Sequence, residues 1–197
     1  TMAYHNHSKV LWMGTSKGKL LFLKDKKIVV HPASQLLNAI PITALQIMDS
    51  GIYIGTQSGK VFVLKNQQFQ QILLPSLKNV PILALHQDAF KTLWIGTEGE
   101  GLLALNKTTL TQYGTESGLP NLNIISINTD KSQRLWIGTR NGIAYKLESN
   151  SESSKKFKCF QFRDGFVGIG VNSEHCIHES DSNQLLVAAN DRLTIVN

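Results

Sequence analysis

Apolar and polar positions along this chain repeat as a unit. Leu11-Trp12-Met13-Gly14-Thr15 returns as Ile52-Tyr53-Ile54-Gly55-Thr56, Leu93-Trp94-Ile95-Gly96-Thr97 and Leu135-Trp136-Ile137-Gly138-Thr139, and in worn form as Leu185-Leu186-Val187-Ala188-Ala189. The glycine recurs after 41, 41 and 42 residues, and Ala188 follows Gly138 by 50. The last interval is longer because it holds Glu148 to Lys156, a polar stretch with no apolar residue that reads as a surface loop. After each Gly-Thr pair comes a tight-turn signal, at Lys17-Gly18, Ser58-Gly59, Gly99-Glu100, Asn141-Gly142 and Asp191-Arg192. A short, nearly continuous apolar run follows each one, at Leu20 to Leu23, Val61 to Leu64, Leu102 to Leu105, Ile143 to Leu147 and Leu193 to Val196. Such runs predict strands buried on both faces.

A further strand is predicted at Lys27 to Val30, Phe69 to Leu73, Thr111 to Tyr113 and Lys158 to Arg163. A connection rich in Gly, Pro and Asn then leads to the strand that opens the next copy, at Ile42 to Met48, Ile82 to Gln87, Ile124 to Asn128 and His175 to His178. The strand that opens the first copy falls within Thr1 to His7, and the fifth copy has no outer strand. Asp49, Asp88, Asp130 and Asp181 mark the turn into each repeated strand. Four strands per repeat, no helical periodicity and a period near forty predict an all-β fold, a β-propeller of four-stranded antiparallel blades, about five in this chain. The blades fall at about 1–30, 42–73, 82–113, 124–163 and 171–197 of a single propeller domain or partial propeller. Glycine inside a strand predicts a close backbone approach, and the Trp two residues earlier supplies bulk to fill the space between neighbouring sheets.

Composition narrows the function classes. The chain has 197 residues, 42% of them hydrophobic, enough for a well-buried core. No apolar run reaches the length of a membrane helix, and Thr1 to Lys9 lack the apolar core of a secretory signal, so no membrane insertion is expected within this segment. The net charge of +6 is scattered: the densest cluster, Lys24 to Lys27, is broken by Asp25. No basic stripe with interleaved aromatics appears, and nucleic acid is not an expected partner.

The Leu-Trp-Ile-Gly-Thr strand with its Gly turn, together with Ser117-Gly118-Leu119-Pro120-Asn121 leading into Ile124 to Ile127, resembles the propeller repeats of two-component regulators. Asp164-Gly165-Phe166 and Val171-Asn172 look like the closing repeat of such a propeller. The likeness covers nearly the whole chain. Tyr53 replaces Trp in the second copy, the fifth has lost Gly-Thr, and Leu74 to Pro81 lacks the Gly-Leu-Pro element. The repeats are also similar to those of quinoprotein-type propellers and the outer-membrane assembly lipoprotein, without their alanine-rich continuation and docking Trp. In the two-component family such propellers form periplasmic sensor regions of hybrid histidine kinases and diguanylate cyclases and bind a signal such as a saccharide fragment. The resemblance therefore implies a periplasmic ligand-sensing module with no cofactor, a small-molecule or saccharide partner, and an output domain outside these residues. Either the ring closes with five blades or the chain is part of a seven-bladed ring of about 280 residues. The partial ring is favoured, and it implies self-association or a neighbouring propeller segment.

Connections between blades and the Gly-containing hairpins should share one face, where binding residues can vary without breaking the core. The candidate ligand-binding residues there are His31, Asn38, Asn79, Glu116, Asn121, Asn123, Arg140, Asn141, Asp164, Asn172 and Arg192. A metal is not expected: His175 and His178 are three apart on a predicted strand and face opposite sides, and His5 and His7 have no obvious third ligand. No catalytic residue is assigned, since acidic residues sit mostly at turns and Ser117-Gly118 is not a nucleophile elbow. Propeller enzymes, lyases or hydrolases acting on a saccharide or small molecule, assemble sites from several blades, so that alternative stands beside a protein-interaction scaffold. Cys159 on an outermost strand and Cys176 on the next innermost one lie three strand spacings of about 4.8 Å apart, too far for a disulfide.

Overall fold

The computed structural model describes residues 1–6, 8–48, 51–75, 77–148, 155–166, 170–171, 173–181, 184–190 and 192–196. The chain forms two compact units, Thr1–Leu85 and His86–Asn197.

The first unit holds two antiparallel sheets whose strands pair in chain order. One is β1 (Met2–His5), β2 (Val10–Gly14), β3 (Leu20–Lys24) and β4 (Lys27–Val30); the other is β5 (Ile42–Met48), β6 (Gly51–Thr56), β7 (Val61–Lys65) and β8 (Gln68–Ile72). Because side chains alternate across a strand, each sheet has a front bearing the repeat's Trp and Gly, and a back. On the first sheet Ala3, Trp12 and Phe22 pair across the front. Met2, Met13, Leu21 and Val30 form one row across the back, and Tyr4, Leu11, Leu23 and Ile28 form the other. The front packs on the second sheet: Leu20 and Leu37 join Ile42, Leu45, Ile54, Phe62 and Leu64 in one core, with Ala3 and Trp12 against it.

Close approach explains the strand glycine. A Cβ on Gly55 would stand 2.6 Å from Ile82 Cγ2, and one on Gly138 would stand 2.7 Å from Val171 Cγ2. Both distances are inside van der Waals contact, so the β-branched residue that follows each connection occupies the space a side chain would need. Ala188, at the matching position of the fifth copy, is exposed and has room for its methyl.

The second unit begins within β9 (Ile82–Gln87), which lies at one edge of a sheet with β10 (Leu93–Thr97), β11 (Leu102–Asn106) and β12 (Thr109–Tyr113). A four-stranded sheet of β13 (Ile124–Thr129), β14 (Leu135–Thr139), β15 (Gly142–Lys146) and β16 (Phe157–Phe160) follows, then a three-stranded one of β17 (Ile177–Glu179), β18 (Leu185–Ala188) and β19 (Leu193–Val196). Neighbouring sheets interlock through rings and polar bridges. Phe157, 1% exposed, meets the Tyr113 ring edge-on at 5.3 Å. From β13, Ser126 Oγ donates to Glu174 O at 2.8 Å and Asn128 Nδ2 to Ile177 O at 2.9 Å.

The threonine of the repeat closes the hairpin in the second, third and fourth copies. Thr56 Oγ1 donates to Lys60 O at 2.9 Å, Thr97 Oγ1 to Gly101 O at 2.7 Å and Thr139 Oγ1 to Gly142 O at 2.9 Å, and all three residues are fully buried. Buried hydroxyls need such partners.

Some elements differ from the sequence expectation, among them the following. The connection from His31 contains a 3-10 helix, Pro32–Leu37, started by the fixed φ of Pro32 and by His31 Nδ1, which accepts from Ala33 N at 3.2 Å. The strand expected to run to Arg163 ends at Phe160, because Gln161 and Asp164 cap a 3-10 turn at Phe162–Asp164. The strand expected from His175 begins at Ile177. Cys159 and Cys176 are both free thiols, as the strand order requires. Burial raises the Cys176 pKa, opposed by a hydrogen bond with Ser126.

Candidate functional site

The turns that enter the repeated strands are organised by aspartate. In the second unit, Asp88 Oδ1 accepts from Phe90 N and Thr92 N, each at 2.9 Å, and Oδ2 accepts from the Trp94 indole Nε1 at 2.8 Å. Asp130 repeats the arrangement, with Oδ1 on Arg134 N and Oδ2 on Trp136 Nε1, each at 2.9 Å. One carboxylate thus shapes the turn and satisfies the buried indole. These aspartates are structural. Asp49 lies outside the described residues.

Between the two Asp-anchored turns runs an open groove of about 740 Å³, lined among others by Asp88, Phe90, Arg134, Tyr145, Lys146 and Glu148. Both Asp88 oxygens are occupied, whereas Arg134, Lys146 and Glu148 have no ion pair among the described residues. The Arg134 guanidinium stacks 4.9 Å from the centroid of the Tyr145 ring, which holds it in place while leaving its N–H groups open. Phe90 is 79% exposed. A second groove of about 400 Å³ shares Ser132, Arg134 and Tyr145 with the first and adds Trp136, Phe160 and Glu179. Trp136, Tyr145 and Phe160 follow one another at ring spacings of 5.2 and 5.9 Å, so Arg134 and Tyr145 form the partition between two aromatic-walled grooves. Clefts of this volume that combine aromatic side chains with a few placed polar groups are one form of small-molecule site.

His86 lies nearby on β9, its Nε2 3.2 Å from Thr129 Oγ1 on β13. Burial pushes its pKa down to about 4, only partly opposed by the charge of Asp88. It is therefore a neutral structural bridge at physiological pH. Among the described residues, no three His, Cys, Asp or Glu side chains come together as a metal site.

The expected loop face exists within each unit. Gln57 N donates to Pro41 O at 3.0 Å in the first; in the second, Gly99 N and Gly101 N donate to Leu122 O at 3.3 and 3.0 Å, and Asn190 N to Gly170 O at 3.1 Å. Hairpins and connections thus lie together, on the side opposite the Asp-anchored turns. Most of the candidate residues there are engaged within their own loops. His31 caps its helical turn and sits 5.5 Å from the Trp12 ring, with burial lowering its pKa. Asn38 ends that turn at φ 48°, and Asn79 is exposed. The Glu116 carboxylate accepts from Gly114 N at 2.9 Å and from Ser117 Oγ at 3.2 Å; the backbone N–H groups of Glu116 and Gly114 lower its pKa. Asn121 Oδ1 takes both Asn123 N at 2.8 Å and Asn123 Nδ2 at 3.0 Å. Arg140 pairs with Glu98 at 2.9 Å. Gln161 brings Asn141 and Asp164 together, with Nε2 on the Asn141 carbonyl at 3.3 Å and N on Asp164 Oδ2 at 3.0 Å. Arg192 is exposed, and its carbonyl accepts from Ala189 N at 2.9 Å. Asn172 and His7 lie outside the described residues.

Reading the sequence did not single out Arg134, Tyr145, Phe90 or Lys146. The available signal was a cation just before a Trp strand, with an aromatic residue on the strand beside it. Trp136 and Tyr145 stand opposite each other on neighbouring strands, which places that ring next to the turn.

Repeats of this design can be compared with known ones. Residues 76–99 and 118–141 match the two component regulator propeller family. These two segments are similar to two-component regulator propeller repeats. Among solved structures, the extracellular domain of the hybrid two-component system BT3049 of B. thetaiotaomicron is similar over the whole chain, with 19% identity and a TM-score of 0.76. The extracellular domain of the one-component system BT4673 of the same organism is similar at 16% identity and a TM-score of 0.51. Virginiamycin B lyase of Staphylococcus aureus shares 13% identity with a TM-score of 0.72. The chain spans 28% of the first of these, 34% of the second and 68% of the third. Among curated proteins no sequence matches. At these identities the likeness is one of fold: the chain has a β-propeller fold shared by sensor domains and by a lyase.

Proposed function

We propose that this chain is the ligand-sensing part of an extracytoplasmic propeller, periplasmic in a bacterial two-component-type receptor, and that it binds rather than transforms its ligand. Support comes from the matching repeats and from the extracellular domains of similar fold. The observation that carries the reading is the groove around Arg134 and Tyr145. Its aromatic walls suit the apolar faces of a sugar ring or similar small molecule, and the oriented guanidinium with Lys146 suits an acidic group on it. Of the two carboxylates that line the groove, Asp88 has both oxygens committed to the turn and the indole and is poorly placed to take a substrate proton.

Calorimetric titration with neutral and uronic-acid-containing oligosaccharides tests this. Acidic members should bind, and Arg134→Ala should weaken them about tenfold or more, as loss of a charged hydrogen bond does. Arg140→Ala, on the loop face, should leave binding unchanged. If Arg140→Ala or Asn121→Ala weakens binding and Arg134→Ala does not, the ligand sits on the loop face. Turnover of any oligosaccharide would support an enzyme instead. A protein-interaction reading has its own observation: among the described residues, each connection between sheets carries one exposed large apolar residue, Leu36, Leu73, Leu122 and Phe162.

A further inference from the structure

We propose that the groove between the first and second sheets is a second binding site. It takes a small organic acid and seats the carboxylate on the Trp12 indole, where the third and fourth copies of the repeat place an aspartate of their own. In those copies the residue six before the tryptophan is Asp88 or Asp130, whose Oδ2 accepts from the indole Nε1 at 2.8 and 2.9 Å. The first copy has Asn6 at that position, exposed to solvent, and the Trp12 Nε1–H has no acceptor among the described residues. Burial differs in the same way. Trp94 and Trp136 are 3% and 5% exposed, whereas Trp12 is only half-buried and lines an open groove of about 370 Å³.

The groove is lined to donate hydrogen bonds. His5 and His31 stand in it with Trp12. His5 Nδ1 accepts from Ser8 N at 3.0 Å, and His31 Nδ1 accepts from Ala33 N at 3.2 Å. A backbone N–H can only donate, so each Nδ1 keeps its lone pair and each ring carries its proton on Nε2. Burial, which lowers the His31 pKa, favours the same neutral form. That tautomer opposes a metal, which would need the Nε2 lone pair, and suits a ligand that accepts hydrogen bonds. None of the three groups, Trp12 Nε1–H and the two imidazole Nε2–H, donates to a described residue. Lys65 lies on the facing wall with no ion pair among the described residues, and no carboxylate among the described lining residues competes for these donors. Ile52 and Leu64 supply apolar surface on that wall, so the acid group that fits here is one joined to an apolar body. Both walls are facing sides of neighbouring sheets within the first unit, the Trp12 front and the sheet it packs against.

Nuclear magnetic resonance titration of the isotope-labelled protein with phenylacetate, read at the indole N–H signals, tests the site, because the three tryptophans give three such signals. One signal should move downfield and saturate, and it should be the one missing from Trp12→Phe. The signals of Trp94 and Trp136, whose N–H groups already donate to aspartates, should stay in place. Phenylacetamide, similar in shape but uncharged, should bind about tenfold more weakly. Asn6→Asp, at an exposed position, restores the aspartate of the other copies. Its Trp12 signal should lie downfield before any acid is added, which assigns that signal even where Trp12→Phe does not fold, and its affinity for phenylacetate should fall about tenfold or more. Arg134→Ala should leave the titration unchanged, which separates this site from the groove proposed above to bind a saccharide. A Trp12 signal that stays still at every phenylacetate concentration overturns the proposal. So does an Asn6→Asp protein that binds phenylacetate as tightly as wild type, or an Arg134→Ala protein that has lost the shift. An equal shift with inorganic phosphate would overturn the carboxylate assignment and mark an unselective anion site.

Discussion

Replacing Gly55 by alanine tests the packing logic of the repeat directly. The backbone there lies outside the left-handed region, so alanine can adopt it, and removing a strand glycine should by itself gain about 0.5–1 kcal/mol. The added methyl, however, would stand 2.6 Å from Ile82 Cγ2 and 2.8 Å from Ile82 Cβ. Ile82 is fully buried and has nowhere to move, so overpacking of about 1–3 kcal/mol should win. The difference between these two effects is a net destabilisation of about 0–2.5 kcal/mol. Ile82→Ala alone should cost about 2–5 kcal/mol through lost burial and a cavity. In the double variant the new methyl enters the space that Ile82 vacated. The two changes together should therefore cost less than their sum by at least about 1 kcal/mol. Urea unfolding followed by tryptophan fluorescence gives all four stabilities, and an unchanged slope would show that compactness is preserved. Ala188→Gly is the control: with no residue over the methyl, it should cost no more than about 1 kcal/mol of strand entropy. A Gly55→Ala protein more stable than wild type, or strictly additive effects with Ile82→Ala, would refute the close-approach explanation.

Three further outcomes are expected. Asp130→Ala leaves the Trp136 indole N–H and the Arg134 amide without their acceptor and should destabilise the protein by about 2–3 kcal/mol in the same unfolding assay. Thr97→Val, which removes the buried hydroxyl from Gly101 O, should cost about 1–2 kcal/mol, against little change for a surface threonine such as Thr111. For His86, folding favours the neutral ring, with a pKa of about 4 against about 6.5 when unfolded, so the unfolded chain binds the extra proton between those values. The stability tied to His86 is complete above pH 6.5 and falls by about 3 kcal/mol as the pH drops to 4; His86→Gln, measured across that window, should lose this part of the slope.

These tests separate two uses of the same scaffold. Asp88 and Asp130 hold the turns and the indoles, so loss of either should show first as lost stability. Arg134 projects from one of those turns across the Tyr145 ring, and its side chain could be removed with the turn intact, because it bonds to Asp130 through its backbone alone, its N–H donating to Oδ1 and its carbonyl accepting from Asp130 N. Binding and folding at this site are thus separable by substitution.

The strand order was legible in the residues because both determinants are local. Alternation of apolar side chains and the Gly turns specify a strand and its hairpin without reference to the rest of the chain, and the observed registers of Trp12 with Phe22 and Trp136 with Tyr145 follow from them. The 3-10 turns at Pro32–Leu37 and Phe162–Asp164 were missed because each depends on a cap, from His31 and from Gln161 with Asp164, that only the folded loop completes. The loop face could be located, but not the bonds that engage its side chains: Arg140 with Glu98 and Asn121 with Asn123 depend on distances that no spacing encodes. By itself the sequence determined the repeat, the four-stranded sheets and the glycine at the tight approach, all governed by period and side-chain size. Only the tertiary structure decided which charges are spent and which remain open, since the bonds that occupy both Asp88 oxygens and the ring that Arg134 stacks on without an ion pair are partners that packing alone brings within reach.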